Sequence, residues 1–132
     1  MKKLLFVLIV LTYQFGFGQN VKNLKDVQPS ADFDNIHIEK IYTDENSTSF
    51  VIWVKKSVKV HYHKNHTESL YVIEGSATMK IGKKEFEIKE GDYFTVPENT
   101  HHSVVVKSKI PLKVLSLQAP EFLGEDRFFV ED

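Results

Sequence analysis

His61 and His63 stand one residue apart in the segment Ser57-Val58-Lys59-Val60-His61-Tyr62-His63, which is rich in β-formers. Side chains on a strand alternate faces with a period of two, so both imidazoles are expected on the same side. Glu68 follows five residues after His63, at the head of a second apolar run, Leu70-Tyr71-Val72-Ile73. Imidazoles and a carboxylate on one face, drawn from adjacent strands, make most of a site for a divalent metal such as Mn, Fe, Ni or Zn. A lone histidine in such a run reads better as a solvated strand residue. His-x-His with a glutamate at this spacing reads better as a metal site.

A second stretch, Gly91-Asp92-Tyr93-Phe94-Thr95-Val96-Pro97-Glu98-Asn99-Thr100-His101-His102, supplies a glycine turn, a short strand, a proline turn and a histidine opening a third apolar run. Together the two stretches resemble the paired motifs of the cupin superfamily, small β-barrels that hold one metal. His61, His63, Glu68 and Gly75 fall in step with the first motif, G-x5-H-x-H-x3,4-E-x6-G. Gly91, Pro97 and His102 fall in step with the second, G-x5-P-x-G-x2-H-x3-N. The resemblance implies one divalent transition metal (Zn, Mn, Fe or Ni) on His61, His63, Glu68 and His102. The chain departs from the motifs at Lys55, Asn99 and Val106, none of them a ligand position. Asparagine tolerates the left-handed backbone that a turn glycine supplies, so residues 97–100 still read as a turn.

His66 and His101 adjoin the implied ligands. Imidazole titrates near neutrality, so either is a candidate second-layer group or general acid/base. An exposed loop histidine is the plainer reading of both. Strand parity turns His101 away from His102. His66 lies in a loop able to reach over the mouth of the site and is the first candidate for moving a proton, ahead of Tyr71 and Tyr93.

The elements that position these residues follow from the rest of the chain. Lys2-Lys3, the apolar run Leu4–Leu11 and Gly16-Phe17-Gly18 read as a secretory signal peptide over residues 1–18. That run is far shorter than the ~20 residues needed to span a bilayer. Cleavage leaves 114 of 132 residues, one domain, with 15 basic and 18 acidic side chains. That balance argues against nucleic acid as a partner. With no cysteine, no disulfide holds an exported fold together. The expected address is periplasmic or secreted, with no membrane contact after cleavage. Residues 19–35 are polar and read as an extended lead-in. Residues 36–132 then show short β-rich runs separated by turn signals, and no sustained helical period. The pattern predicts an all-β sandwich or barrel, and the resemblance makes it a single-domain cupin β-barrel of the double-stranded β-helix, or jelly-roll, type. Parity places Lys59, Leu70, Val72, Ala77, Met79, Val104 and Val106 inside, with either Phe50 and Ile52 or Val51 and Trp53. The tail carries three phenylalanines and is expected to pack on the barrel or on a second copy, a homodimer being a candidate assembly.

The sequence has no cysteine nucleophile, no glycine-rich phosphate loop and no G-x-S-x-G elbow. A small-molecule ligand at a metal is therefore the expected partner. Three functions fit. One is isomerisation, tautomerisation, ring opening or lyase chemistry on a small carbonyl- or carboxylate-bearing molecule such as a sugar acid. In length, and in the 15 residues between Gly75 and Gly91, the chain resembles the small cupins that linearise unsaturated uronates, although these often carry Gln where Glu68 stands. The second is dioxygenase or oxalate-type chemistry, which Glu68 suits better. The third is a binding module without turnover.

Overall fold

A computed structural model describes residues 21–130; the expected signal peptide lies outside them. Among the described residues there are ten strands and no helix. They are β1 (Ile36–Thr43), β2 (Thr48–Val54), β3 (Ser57–Tyr62), β4 (Thr67–Glu74), β5 (Ser76–Ile81), β6 (Lys84–Lys89), β7 (Tyr93–Val96), β8 (His102–Val106), β9 (Leu112–Ala119) and β10 (Phe128–Phe129). Two five-stranded antiparallel sheets face each other, in the orders β1-β2-β9-β4-β7 and β10-β3-β8-β5-β6. This is the all-β architecture expected from the sequence.

Alternation fills the space between the sheets. Phe50, Ile52 and Val54 of β2 meet Leu70, Val72, Met79, Val104 and Val114 in one buried cluster. The open choice on β2 is thereby settled: Val51 and Trp53 point to the opposite face. There they form a second cluster with Ile73, covered by Leu24, Val27 and Phe33 of the lead-in. The lead-in is thus a lid on the outside of the first sheet and forms no strand. Lys113 is buried beneath it, donating to the Lys25 carbonyl at 2.9 Å with Glu74 Oε1 at 3.7 Å.

Of the residues expected inside, Lys59 is the one that parity misplaces. A β-bulge between Val58 and His61 shifts the register of β3 against β8, so Val58 and His61 both face inward although three residues apart. Lys59, expected inside, is exposed. A bulge leaves one residue outside the ladder, and here the Lys59 carbonyl accepts a hydrogen bond from His61 Nδ1 at 2.9 Å.

Two turns hold the ligand-bearing strands. Asn99 takes φ 55°, the left-handed conformation expected at the glycine position of the second motif. It donates its N–H to the His63 carbonyl at 2.6 Å. At Gly75, φ is 83° and a Cβ would lie 2.8 Å from the Pro111 carbonyl oxygen, so only glycine fits.

Candidate metal centre

His61 near the end of β3, His63 just beyond it and His102 at the start of β8 converge from the two adjacent strands of the second sheet. His61 and His102 are direct cross-strand partners, with ring centroids 4.1 Å apart. One ring nitrogen from each of the three lies within 4.8 Å of the others, and all three side chains are buried. Each ring is fixed by a backbone carbonyl accepting from Nδ1: Lys59 for His61 at 2.9 Å, Asp126 for His63 at 2.5 Å, and Thr100 for His102 at 2.9 Å. With Nδ1 protonated and pinned, each Nε2 presents its lone pair inward. The Nε2 atoms of His63 and His102 are buried with no hydrogen-bond partner. Buried polar atoms are seldom left so, and a divalent cation is what this donor set accommodates.

Glu68, at the head of β4, enters from the opposite sheet. Its Oε2 lies 3.6 Å from His63 Nε2 and 3.5 Å from His102 Nε2, charge proximity without hydrogen-bond contact. Its Oε1 accepts from Ser116 Oγ at 2.5 Å and from Gln118 Nε2 at 3.3 Å. The second oxygen is therefore left to face the histidines. His101 is exposed and lies against Tyr62, as parity requires.

The charges are coupled. Burial, and then the His102 ring, hold His61 down to about 4. Burial also opposes charge on His63, but the Glu68 carboxylate and the Asp126 carbonyl outweigh it and raise its pKa. For Glu68, burial disfavours the anion, yet His102, His63 and Ser116 together keep the carboxyl well below the usual range. The pocket thus keeps the Glu68 carboxylate ionised, disfavours charge on His61 and favours it on His63.

His66 does not reach over the mouth. It is buried, with Nδ1 on the Asp126 carboxylate and Nε2 2.9 Å from the Glu121 carbonyl. Both ring nitrogens hold the C-terminal segment, and none faces the cavity. Tyr71 and Tyr93 are exposed, Tyr93 with its hydroxyl on Ser69. The loop position expected of His66 is thus corrected: the tail folds back over this loop and takes up both ring nitrogens. Asp126 anchors that return, accepting from the backbone N–H groups of Lys64 and Asn65, each at 2.9 Å. The tail ends by pairing β10 with β3, Phe128 opposite Tyr62 and Phe129 opposite His61.

The return also delivers Arg127, the chain's single arginine, to the wall of an apolar cavity that His61, Glu68 and His102 line at one side. Its charge is felt by both His61 and His63. Sequence reasoning missed Ser116, Gln118, Asp126 and Arg127. The first two carried a signal, as polar residues on the inward parity of Val114. The last two sit in a tail that mixes charges with phenylalanines, and nothing local singled them out.

Two facing antiparallel sheets around a buried three-histidine cluster define a small β-barrel of metal-site type. The chain belongs to the cupin family: the cupin domain model matches residues 49–118. It is 30% identical over 81 residues to an uncharacterized protein of Methanocaldococcus jannaschii, covering 61% of this chain and 65% of that one. It is 46% identical over 43 residues to quercetin 2,3-dioxygenase of Bacillus subtilis, covering 33% of this chain and 13% of the enzyme. The chain thus spans less than two thirds of both relatives. Among solved structures, a Klebsiella pneumoniae protein with a double-stranded β-helix domain superposes with a TM-score of 0.71 at 18% identity, covering 86% of this chain and 99% of that one. KdgF from a Halomonas species gives 0.65 at 19% identity, covering 70% and 86%. Both structural likenesses speak to the fold.

Proposed function

We propose that this protein is an exported, metal-dependent cupin enzyme. Its substrate is a small carbonyl- or carboxylate-bearing molecule such as a sugar acid, and its chemistry is isomerisation, tautomerisation, ring opening or elimination. The observation that carries the reading is the set of three buried imidazoles, each held by a carbonyl with Nε2 turned inward, two of which, His61 and His102, line an apolar cavity that also receives Arg127. His61, His63 and His102, with Glu68, would hold the ion. A bound divalent metal supplies a Lewis acid that polarises a substrate oxygen. Ser116 and Gln118 keep Glu68 oriented, and the apolar walls exclude water from the reacting atoms. Glu68 is the one carboxylate lining that cavity, so Oε2 is the proton acceptor nearest the site whenever it is not a ligand.

The test is metal analysis of protein purified without chelators, followed by turnover and oxygen-uptake assays on sugar acids and small keto and hydroxy acids. About one Zn, Mn or Ni per chain, with product formed and no oxygen consumed, supports the proposal. Iron with oxygen uptake would replace it with dioxygenase chemistry, the reading favoured by the match to quercetin 2,3-dioxygenase. Bound metal with ligand stabilisation but no turnover would make it a binding module. Export is tested separately: mass spectrometry of the native protein should find Gln19 at or near the N-terminus, and retention of Met1–Leu11 would end that part.

A further inference from the structure

A second lobe of about 300 Å³ shares Ile38, Ile52 and Arg127 with the first cavity and is lined also by Phe50, Gln118, Phe122 and Gly124. Two polar groups in this otherwise apolar wall have unmet hydrogen bonds. A carboxylate only accepts, so Gln118 must turn Nε2 toward Glu68. Its Oε1 is left buried without a partner, on a side chain only 1% exposed. Arg127 Nε is also buried and unpartnered, and the guanidinium makes no ion pair among the described residues. A buried acceptor and a buried cationic donor left unpartnered in the wall of one lobe are costly unless a ligand meets both.

Resting on the metal-site reading above, we infer that Gln118 and Arg127 are the specificity pair of this site and select a compact hydroxy carboxylic acid. Its carboxylate lies on Arg127, and a hydroxyl donates to Gln118 Oε1. The guanidinium fork suits a planar two-oxygen anion. Gln118 Oε1 requires a donor and rejects a second anion or an ether oxygen. Ile38, Phe50, Ile52 and Phe122 offer nothing to further hydroxyls, so the part of the molecule that lies against them presents carbon. Glu68 couples this pair to the ion, because the same amide that orients its carboxylate presents the acceptor to the ligand.

Calorimetry on the manganese-loaded protein tests this with three probes: 2-hydroxy-3-methylbutanoate, its methyl ester, and its 2-methoxy analogue. Wild type should bind the hydroxy acid about tenfold or more tightly than either analogue, the effect of losing one buried charged or polar contact. Arg127→Met should shrink the acid-to-ester ratio about tenfold, with Arg127→Lys intermediate. Gln118→Met should shrink the hydroxy-to-methoxy ratio by a similar factor. Manganese content is measured in every sample. Selectivity unchanged in both variants, or no binding of the hydroxy acid by the loaded wild type, overturns the inference while leaving the metal site standing. Failure of wild type to load manganese, zinc, iron or nickel overturns the metal-site reading, and this inference with it.

Discussion

At the residue scale the chemistry rests on which nitrogen each histidine turns inward. Carbonyls hold Nδ1 of His61, His63 and His102, so replacing any of the three by alanine should remove most bound metal, read by elemental analysis after gel filtration. His101→Ala should keep it, since that ring lies outside against Tyr62. Loss of metal in His101→Ala but not in His102→Ala would mean the second strand is misregistered by one. Ser116→Ala removes a hydrogen bond to Glu68 and should weaken metal affinity by about 10- to 100-fold in chelator competition, the usual cost of losing a group that orients a ligand. Acid acts on the same rings. The His61 pKa is lowered to about 4, against about 6.5 in the unfolded chain. Between those values the unfolded chain binds a proton that the folded one refuses, so this group's stabilisation falls as pH falls, by about 3 kcal/mol in all. His63, raised, works the other way: its contribution is complete below about 6.5 and is lost as pH rises through the folded value. Ring-proton NMR of metal-free protein should therefore show His61 neutral at pH 5 while His63 is charged. A His61 titrating near 6.5 would contradict its burial.

At the element scale the C-terminal return is a structural part of the site. Its anchor is Asp126, whose carboxylate meets two backbone N–H groups and His66, and whose carbonyl holds His63. Asp126→Ala should cost about 2–4 kcal/mol, since it strips a charged acceptor from three donors. That corresponds to a fall of roughly 10 °C or more in Tm. Proteolysis within residues 120–130 should accelerate, and metal affinity should fall with it. Burial opposes charge on the Asp126 carboxyl, but His66 and the two N–H groups keep its pKa low, so this stabilisation is present at neutral pH and is lost below about pH 4. His66→Ala should give the same loosening. An unchanged melting temperature together with a turnover defect would instead return His66 to the proton-transfer role first expected of it. Gly75→Ala belongs to the same scale. The new methyl meets backbone at Pro111 and Leu112 and the φ is unfavourable, so Tm should drop in a thermal melt.

At the scale of the whole molecule, the buried apolar layers predict a fold that stands without a bound ion. Phe50, Ile52, Leu70, Val72, Met79, Val104 and Val114 bury the space between the sheets, and the lead-in closes a second apolar layer outside. Chelator-treated protein should keep its β-sheet circular dichroism and unfold cooperatively. Added metal should raise stability by about 4 kcal/mol at a thousandfold excess over Kd. Collapse of the spectrum on chelation would show that the metal, and not the apolar layers, holds the sheets together.

The sequence by itself determined the all-β class, the shared face of His61 and His63 and the turn at Asn99, because each is a matter of local period or local backbone; Glu68 and His102 joined that pair through the resemblance to the cupin motifs. His-x-His shares a face on any strand, and a left-handed turn selects glycine or asparagine wherever it falls. Tertiary structure alone decided the rest. The bulge that exposes Lys59 depends on the register between β3 and β8, which neither strand carries alone. Which face of β2 lies inside depends on what covers Trp53, and that is a segment roughly twenty to thirty residues upstream. His66 read as a free loop histidine until the tail, some sixty residues later, laid Asp126 against it. Arg127 reaches the cavity by the same return. Such contacts join residues far apart in the chain, and local pattern holds no information about them.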